Sequence, residues 1–297
     1  MRTPPWALIQ YRLPGDDRIR PGVLADETVF RPPFEHGSLI EALADWDTVE
    51  AALRDWSPGT RAEPIPGARL TAPLTYPGAV LCSGANYHSH AAEMGTKPLD
   101  PDGEPFLFLK PPRSTVIGPG EPVPYPRYDG VQLDWEAELG VVIGRVAKEV
   151  TARQAGRHIA GYVAANDLSA RDRAARGDAP APHFTYDWLA HKGQDGCCPI
   201  GPGIVPAWLV ADPQQLGLRL RVNGIIKQDA STRDMVIGVD RLVAAASRLM
   251  TLHPGDVILT GTPAGVGAPR GEFLRPGDVM TVEIDGIGEL ENQVVAQ

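Results

Sequence analysis

The chain has only three cysteines in 297 residues, Cys82 and the adjacent pair Cys197 and Cys198. So few thiols, without the paired spacing of a zinc site, exclude a disulfide framework and predict reduced side chains. Basic clusters are absent as well: 28 Lys and Arg stand against 37 Asp and Glu, a formal charge of −9. Nucleic acid is therefore not an expected partner, since phosphate binding needs concentrated positive charge. No segment approaches the roughly 20 consecutive apolar residues of a membrane span. Met1-Arg2-Thr3-Pro4-Pro5-Trp6 is not followed by the apolar core of a signal peptide. These absences predict a cytoplasmic protein with no membrane partner. Missing too are the Gly-x-Ser-x-Gly elbow, the His-Glu-x-x-His zinc helix and a phosphate loop ending in Gly-Lys-Ser/Thr.

What is present starts with core-forming capacity, since 43% of the residues are hydrophobic and the length suits one large domain or two. The most informative stretch is Leu133 to Gly144, a β-forming apolar run that carries Asp134, Glu136 and Glu138 at alternate positions. Alternation puts these acids on one face of a strand, with neighbours about 6–7 Å apart. In an apolar setting their repulsion needs an offsetting cation, and a hard divalent ion held by oxygens supplies it. A solvated sheet face is the plainer reading of the same pattern. Gly161 to Asp167 predicts a second strand that ends in an acid, just before Ser169-Ala170-Arg171-Asp172, which offers a capping box for a new helix. A third carboxylate at a strand end suits a metal site with positions left open for substrate.

Upstream, Trp6 to Val29 predicts short strands, and Ser38-Leu39-Ile40-Glu41 and Asp47-Thr48-Val49-Glu50 each predict a helix start. Ser57 to Gly78 is rich in Pro and Gly, which marks a linker and a domain boundary. Ala79 to Cys82 predicts a buried strand that feeds a short helix closed by Gly95. On that helix His90 and Glu93 lie three apart and meet on one face. A carboxylate beside an imidazole orients a general base; a chance surface pair is the plainer reading. Phe106 to Lys110 predicts a strand, and the loops on either side of it, gathered around the acidic strand, suggest an active-site rim. The last third predicts antiparallel sheet with one helix: Leu218 to Val222 alternates, Asn223-Gly224 signals a hairpin turn, and Val239 to Leu252 has helical periodicity. The glycine loop Gly261 to Gly267 has no lysine, so its amides suit a carboxylate or an oxyanion better than a triphosphate; a structural turn is the alternative.

From about Ala79 onward the sequence resembles the fumarylacetoacetate hydrolase superfamily. The resemblance lies in Asn86-Tyr87-x-x-His90-x-x-Glu93-Met94, Asp134-x-Glu136-x-Glu138-Leu139, Asn166-Asp167-x-Ser169-Ala170-Arg171-Asp172, Lys192, Val222-Asn223-Gly224, Pro254-Gly255-Asp256 and Gly261-Thr262-Pro263-x-Gly265-Val266-Gly267. It implies an α+β, mostly β fold: a mixed β-roll catalytic domain over residues 71–297 behind a small N-terminal α/β domain and linker over 1–70, assembled as a homodimer. It implies Mg²⁺ or Mn²⁺ on Glu136, Glu138 and Asp167, with Asp134 a neighbour of that set. By the same resemblance His90, Glu93 and Lys192 are catalytic, His90 and Glu93 sit on a lid, and Tyr87, Arg171, Gly261 and Thr262 contact a small 2-oxo acid substrate. The chain departs from the pattern at Arg173-Ala174-Ala175, where a glutamine is usual, and at Gly193, where a serine is usual. The expected activity is metal-dependent hydrolysis of a C–C bond in an acylpyruvate or related 1,3-diketo acid. Decarboxylation of a 2-oxo acid and enol–keto isomerisation are the alternatives, and a binding protein without turnover is the distant one.

Overall fold

The computed structural model describes residues 3–56 and 63–297. Its centre is a large mixed sheet, and the strand that carries the acids lies in the middle of it. Ala137–Ile143 pairs antiparallel with Ile159–Asn166 on one side and with Val257–Leu259 on the other. Beyond Val257–Leu259 runs Val80–Gly84 in parallel, then Phe106–Lys110 at the edge. Beyond Ile159–Asn166 comes Cys198–Pro206, and beyond that the N-terminal strand Ala7–Leu13, joined through the pair Leu8 and Ile204. Asp16–Ala25 and Thr28–Phe30 complete that edge. The sheet thus runs unbroken from the N-terminal strands to the acidic strand.

Central strands buried on both faces should be apolar on both, and Ala137–Ile143 is, with the single exception of Glu138. Leu139, Val141 and Ile143 enter one core cluster, while Val142 enters another. The second cluster also takes the inward faces of the helices Leu39–Ala44 and Trp46–Arg54 through Leu39, Leu43, Trp46, Val49 and Leu53. Close strand packing has one strict requirement at Gly161, where a Cβ would meet the Val205 carbonyl oxygen at 2.3 Å. A second, five-stranded sheet contains Gly217–Val222, Ile225–Ser231, Val279–Ile284 and Gly288–Val295. It packs through Leu218, Leu220, Met280, Val282 and Ile284. The fold is the α+β, mostly β architecture expected.

Several local expectations hold and several do not. Asn223 and Gly224 take φ of 52° and 79°, the two left-handed residues that a hairpin turn of the primed type needs. Ser38 caps Leu39–Ala44 by accepting from the Glu41 amide at 3.2 Å. Asp47-Thr48-Val49-Glu50, however, lies inside the helix Trp46–Arg54, which begins after Asp45. Ser169 does not cap a helix either: Ser169–Ala170 pairs with Leu133–Asp134, and a single 3-10 turn follows at Arg171–Arg173. Part of the expected linker, residues 57–62, lies outside the described residues. Downstream of it, Arg69–Thr71 pairs with Ala7–Leu13. Among the described residues no helix is long and apolar enough to cross a membrane.

Candidate active site

Strand register creates the acidic cluster. Ala137 stands opposite Asn166, and one step outward the Asp167 amide donates to the Glu136 carbonyl at 2.9 Å. Glu136 and Asp167 therefore face each other where the ladder ends, with Glu138 two residues further along. One oxygen from each of the three carboxylates lies within 4.8 Å of the others, and all three residues are buried. They line a cavity of about 360 Å³ together with His90, Arg171, Lys192 and Thr262.

Buried like charges need partners, and here two of the acids have them. Lys192 Nζ donates to Glu136 Oε2 at 2.8 Å and to Asp167 Oδ2 at 2.7 Å. Lys110 Nζ, fully buried behind them, donates to Asp167 Oδ1 at 2.6 Å. Arg171 bridges Asp134 Oδ2 at 2.8 Å and Glu136 Oε1 at 2.7 Å. Burial opposes the charged form of Glu136, but Lys192 and Arg171 outweigh it and hold this carboxyl below its ordinary range. Burial likewise opposes the Lys192 ammonium, and Asp167 and Glu136 outweigh it to raise its proton affinity. Glu138 is different. Burial, and then Asp167 and Glu136, push its carboxyl well above the ordinary range, and its strongest hydrogen bond is the Gly261 amide at 2.6 Å.

A cluster of three buried hard oxygen donors, one of them short of positive charge, fits a divalent cation. Glu136, Glu138 and Asp167 would hold it, and Glu138, which accepts from the Gly261 amide and has no cationic side chain against it among the described residues, is the acid that such an ion would serve.

Asp134 does not join this group, although alternation along one strand would place it there. The strand breaks at Trp135, whose side chain is buried and whose indole donates to the Gly265 carbonyl at 3.0 Å. Asp134 turns instead to the glycine loop, accepting from the Gly267 amide at 2.6 Å and the Ala268 amide at 3.1 Å. The loop amides do bind carboxylates, but those of the protein itself: Gly261 binds Glu138, Gly265 binds Glu93 and Gly267 binds Asp134. Gly265, at φ +110°, has no room for a Cβ, which would meet the Lys227 carbonyl oxygen at 2.1 Å.

The helix His88–Glu93 brings His90 to the cavity, and Glu93 Oε1 bonds His90 Nδ1 at 3.0 Å. Glu93 Oε2 accepts from Gly265, so one carboxylate orients the imidazole and fastens the helix to the loop. Thr262 lines the cavity with its hydroxyl already engaged, donating to the Ala137 carbonyl at 2.9 Å and accepting from Gln228 at 2.8 Å. Tyr87, by contrast, is fully buried in the main core and does not line the cavity, and its hydroxyl has no hydrogen-bond partner among the described residues. Gly261 also stands behind the wall, as the amide that holds Glu138.

Other site residues escape sequence reasoning. Lys110 ends an apolar strand, and only its burial against Asp167 distinguishes it. His191 lines the cavity, and its Nδ1 lies 2.9 Å from the Tyr186 hydroxyl. Burial, then Lys192 and Arg171, depress its pKa to about 2, so the ring is neutral at ordinary pH. Phe106, Phe108, Tyr186 and Trp188 form one wall of the same cavity. The three cysteines are free, buried and away from the cavity lining.

Residues 79–295 match the model of the fumarylacetoacetate (FAA) hydrolase C-terminal family. The chain belongs to the fumarylacetoacetate hydrolase family. Among its relatives is an oxaloacetate tautomerase, fahd2, mitochondrial, of Xenopus laevis, 41% identical over 228 residues, or 76% of this chain and 68% of that protein. Oxaloacetate tautomerase YisK of Bacillus subtilis is 35% identical over 291 residues, covering 94% of this chain and 93% of YisK. Maleylpyruvate hydrolase from Sphingobium sp. SYK-6, solved with manganese(II) and pyruvate, superposes with a TM-score of 0.76. It is 28% identical and covers 98% of this chain and 99% of its own. The coarse assignment is an enzyme of this superfamily, and tautomerases stand among the relatives where C–C hydrolysis was expected to lead.

Proposed function

We propose that the protein is a divalent-metal-dependent keto–enol tautomerase of a 2-oxo acid. The observation that carries this reading is the convergence of the His90–Glu93 pair and the Glu136, Glu138 and Asp167 carboxylates on one cavity. Similarity to YisK along nearly its whole length supports tautomerisation over hydrolysis.

Tautomerisation moves one proton from C3 of the keto acid and places one on the carbonyl oxygen, with no net loss or gain. When bound, the metal would supply a Lewis acid to polarise that oxygen. His90 is the group that handles the C3 proton. Its Nδ1 is held by Glu93, which leaves Nε2 for substrate, and the pair keeps the ring in one orientation through both directions of transfer. Lys192 and Arg171 keep Glu136 ionised and fix the geometry of the carboxylates. His191, neutral at ordinary pH, adds no competing charge.

The test is to follow decay of enol absorbance for oxaloacetate with the purified protein, with Mg²⁺ or Mn²⁺ and after chelation. Metal-dependent acceleration of the enol–keto exchange, without CO₂ release, is the expected result. Release of CO₂ as the main product would replace this reading with a decarboxylase. The second reading is hydrolysis, favoured by the likeness to the maleylpyruvate hydrolase. In that case His90 would take its proton from water, and cleavage of an acylpyruvate would outpace enol exchange.

A further inference from the structure

Moving a proton between C3 and an oxygen takes two proton-handling groups, and His90 is one of them. A second must reach the same cavity, carry an exchangeable proton and stand outside the ion pairs of the floor. Among the described residues that line the cavity, the Tyr186 hydroxyl meets these conditions. Lys192 and Arg171 are bonded to the floor acids. The other hydroxyls are spent or closed off: Thr262 and Thr96 donate to backbone carbonyls, and the Ser83 oxygen is buried in the wall. The Tyr186 hydroxyl lies close enough to the floor for Lys192, Arg171, Glu136 and Asp167 all to act on it.

Backbone pairing holds this tyrosine in place. Ala175 and Tyr186 form a β-bridge, flanked by the Arg176 amide donating to the Thr185 carbonyl at 2.8 Å and the Asp187 amide donating to the Ala174 carbonyl at 3.0 Å. Tyr186 is thereby brought alongside Ala174, where the sequence has a methyl group in place of the usual glutamine. Its ring lies 4.3 Å from Trp188, and its oxygen lies 2.9 Å from His191 Nδ1.

Which partner of that bond donates decides what the hydroxyl can do. His191 is buried and neutral, so it carries a single ring proton. Its Nε2 is buried with no hydrogen-bond partner among the described residues. A proton there would be an unpaired buried N–H in the field of Lys192 and Arg171, whose positive charge acts on this ring; a bare lone pair suits that field better. The proton therefore sits on Nδ1 and is donated to the Tyr186 oxygen, which leaves the Tyr186 O–H to be donated into the cavity. Burial raises the proton affinity of that hydroxyl, with Lys192 and Arg171 opposing, so it enters the reaction protonated.

We infer that Tyr186, aligned by His191, is a second catalytic residue, which donates to the oxygen of the substrate's 2-oxo group. The inference rests on the tautomerase reading above and assigns the oxygen side of that reaction. In the keto-to-enol direction the C3–H bond breaks, its proton goes to His90, and its electron pair becomes the C2–C3 double bond. The Tyr186 O–H bond breaks as the carbonyl π pair takes its proton to form the enol O–H. The phenolate left behind accepts from His191 Nδ1–H. Exchange with water then returns a proton to Tyr186 and removes one from His90. A donor whose own oxygen accepts a hydrogen bond is strengthened by it, and a fixed neutral donor at a developing oxyanion stabilises the transition state more than the ground state.

Tyr186→Phe removes the hydroxyl and keeps the ring, at a position 45% exposed. With oxaloacetate, kcat for enol–keto exchange should fall about 10²-fold, the loss typical of one oxyanion donor, while KM and Mn²⁺ affinity stay within about twofold of the parent. A second measurement needs no turnover: calorimetric titration of the Mg²⁺-loaded protein with pyruvate and with oxalate, a planar dianion that mimics the pyruvate enolate. The variant should lose about tenfold in oxalate affinity, the scale of a hydrogen bond to a charged oxygen, and little for pyruvate. His191→Leu should follow Tyr186→Phe, whereas His191→Asn, whose amide N–H stands in for Nδ1–H, should keep most of the rate. Unchanged kcat in Tyr186→Phe overturns the inference, and so does a rise in KM alone, which would make Tyr186 a ground-state contact. If the parent exchanges and Tyr186→Phe matches it, the tautomerase reading survives and this inference alone is lost. If the parent shows no enol–keto exchange, both are lost.

Discussion

Two extended stretches of this protein carry charged side chains at alternate positions, with opposite outcomes. In Gly217–Val222 the charges are Arg219 and Arg221, on the outer face of the five-stranded sheet. Arg219 lies opposite Glu283 and Asp229 on the flanking strands, and Arg221 reaches Glu283 at 3.0 Å. Opposite charges meet across the ladder with water nearby, so the array needs nothing further. At Glu136 and Glu138 the charges are alike and buried, and opposite Glu136, where the ladder ends, stands another acid, Asp167. Cations must then come from elsewhere: Lys110, Lys192 and Arg171 converge from three separate segments. Alternation alone says which face a charge takes. The sign of the residues opposite, and the apolar run Leu139 to Ile143 that follows, separate a solvated face from a site.

The largest expected effect breaks the buried side of this comparison. Glu136→Ala removes a carboxylate that serves Lys192, Arg171 and the Ser169 hydroxyl together. Removing one partner from a buried charge network costs about 3–5 kcal/mol, so the variant should melt well below the parent and lose Mn²⁺ binding by calorimetry. Parent-like melting with parent-like Mn²⁺ affinity would move the metal centre elsewhere.

His90→Ala tests the chemistry while leaving the carboxylates in place. Loss of a general acid–base group lowers turnover by roughly 10²–10⁴-fold, here in enol–keto exchange, while Mn²⁺ affinity should stay close to the parent value. A variant that lost metal and turnover in parallel would make His90 part of the ion's support instead of the proton carrier.

A third effect sharpens the contrast through pH. Imidazole on an exposed face titrates near its ordinary pKa, but His191 is held down to about 2 by burial, then by Lys192 and Arg171, with Glu136 opposing and Lys110 adding to the depression; Tyr186 is its hydrogen-bond partner. Between about pH 2 and the ordinary value near 6.5, the unfolded chain binds a proton at this residue that the folded chain refuses. Stability contributed by the neutral ring is therefore present above that ordinary value and is lost as pH falls through this window. The slope is up to about 1.4 kcal/mol per pH unit for one proton. His191→Asn should flatten the acid limb of stability against pH in urea melts; an unchanged limb would mean that the ring is protonated in the folded protein.

Much of this contrast is visible in the chain itself, and what is hidden has physical causes. The i,i+3 spacing of His90 and Glu93 suffices because a helix turns the pair to one face whatever surrounds it. Glu136 and Glu138 emerge from strand alternation, and Asn223-Gly224 from its left-handed turn geometry. Asp134 shares the alternation and still leaves the group, because Trp135 is drawn into the core and breaks the strand there. The helix starts expected at Asp47 and Ser169 fail because capping residues are also good helix-surface and loop residues, and tertiary contacts decide: Ser169 donates to Glu136 instead. Tyr87 carries a polar tip but is swallowed by the core. Lys110 and the aromatic wall depend on contacts between segments some 60 to 80 positions apart, Phe106 to Lys110 with Asp167 and Trp188. No local pattern records such contacts.

The smallest expected effect lies on the solvated strand, and it completes the comparison. Glu283 receives Arg221 at 3.0 Å and Arg219 at 3.4 Å, a carboxylate shared by two cations much as Glu136 is shared by Lys192 and Arg171. By contact geometry the two acids look alike. They differ in what happens when one is removed. Around Glu283 the guanidinium groups are about a third exposed, Arg219 keeps Asp229, and water solvates whatever is released. Pairs whose guanidinium groups stay open to water, as here, are worth about 0–1 kcal/mol even though Glu283 itself is only 14% exposed, so Glu283→Ala should shift the urea midpoint only slightly, and the shift should shrink further in high salt as screening weakens the pair. The metal affinity and enol–keto turnover of the variant should match the parent. A destabilisation as large as that of Glu136→Ala would mean that the outer sheet face is covered in solution, and that burial of charge is not what distinguishes the acidic cavity.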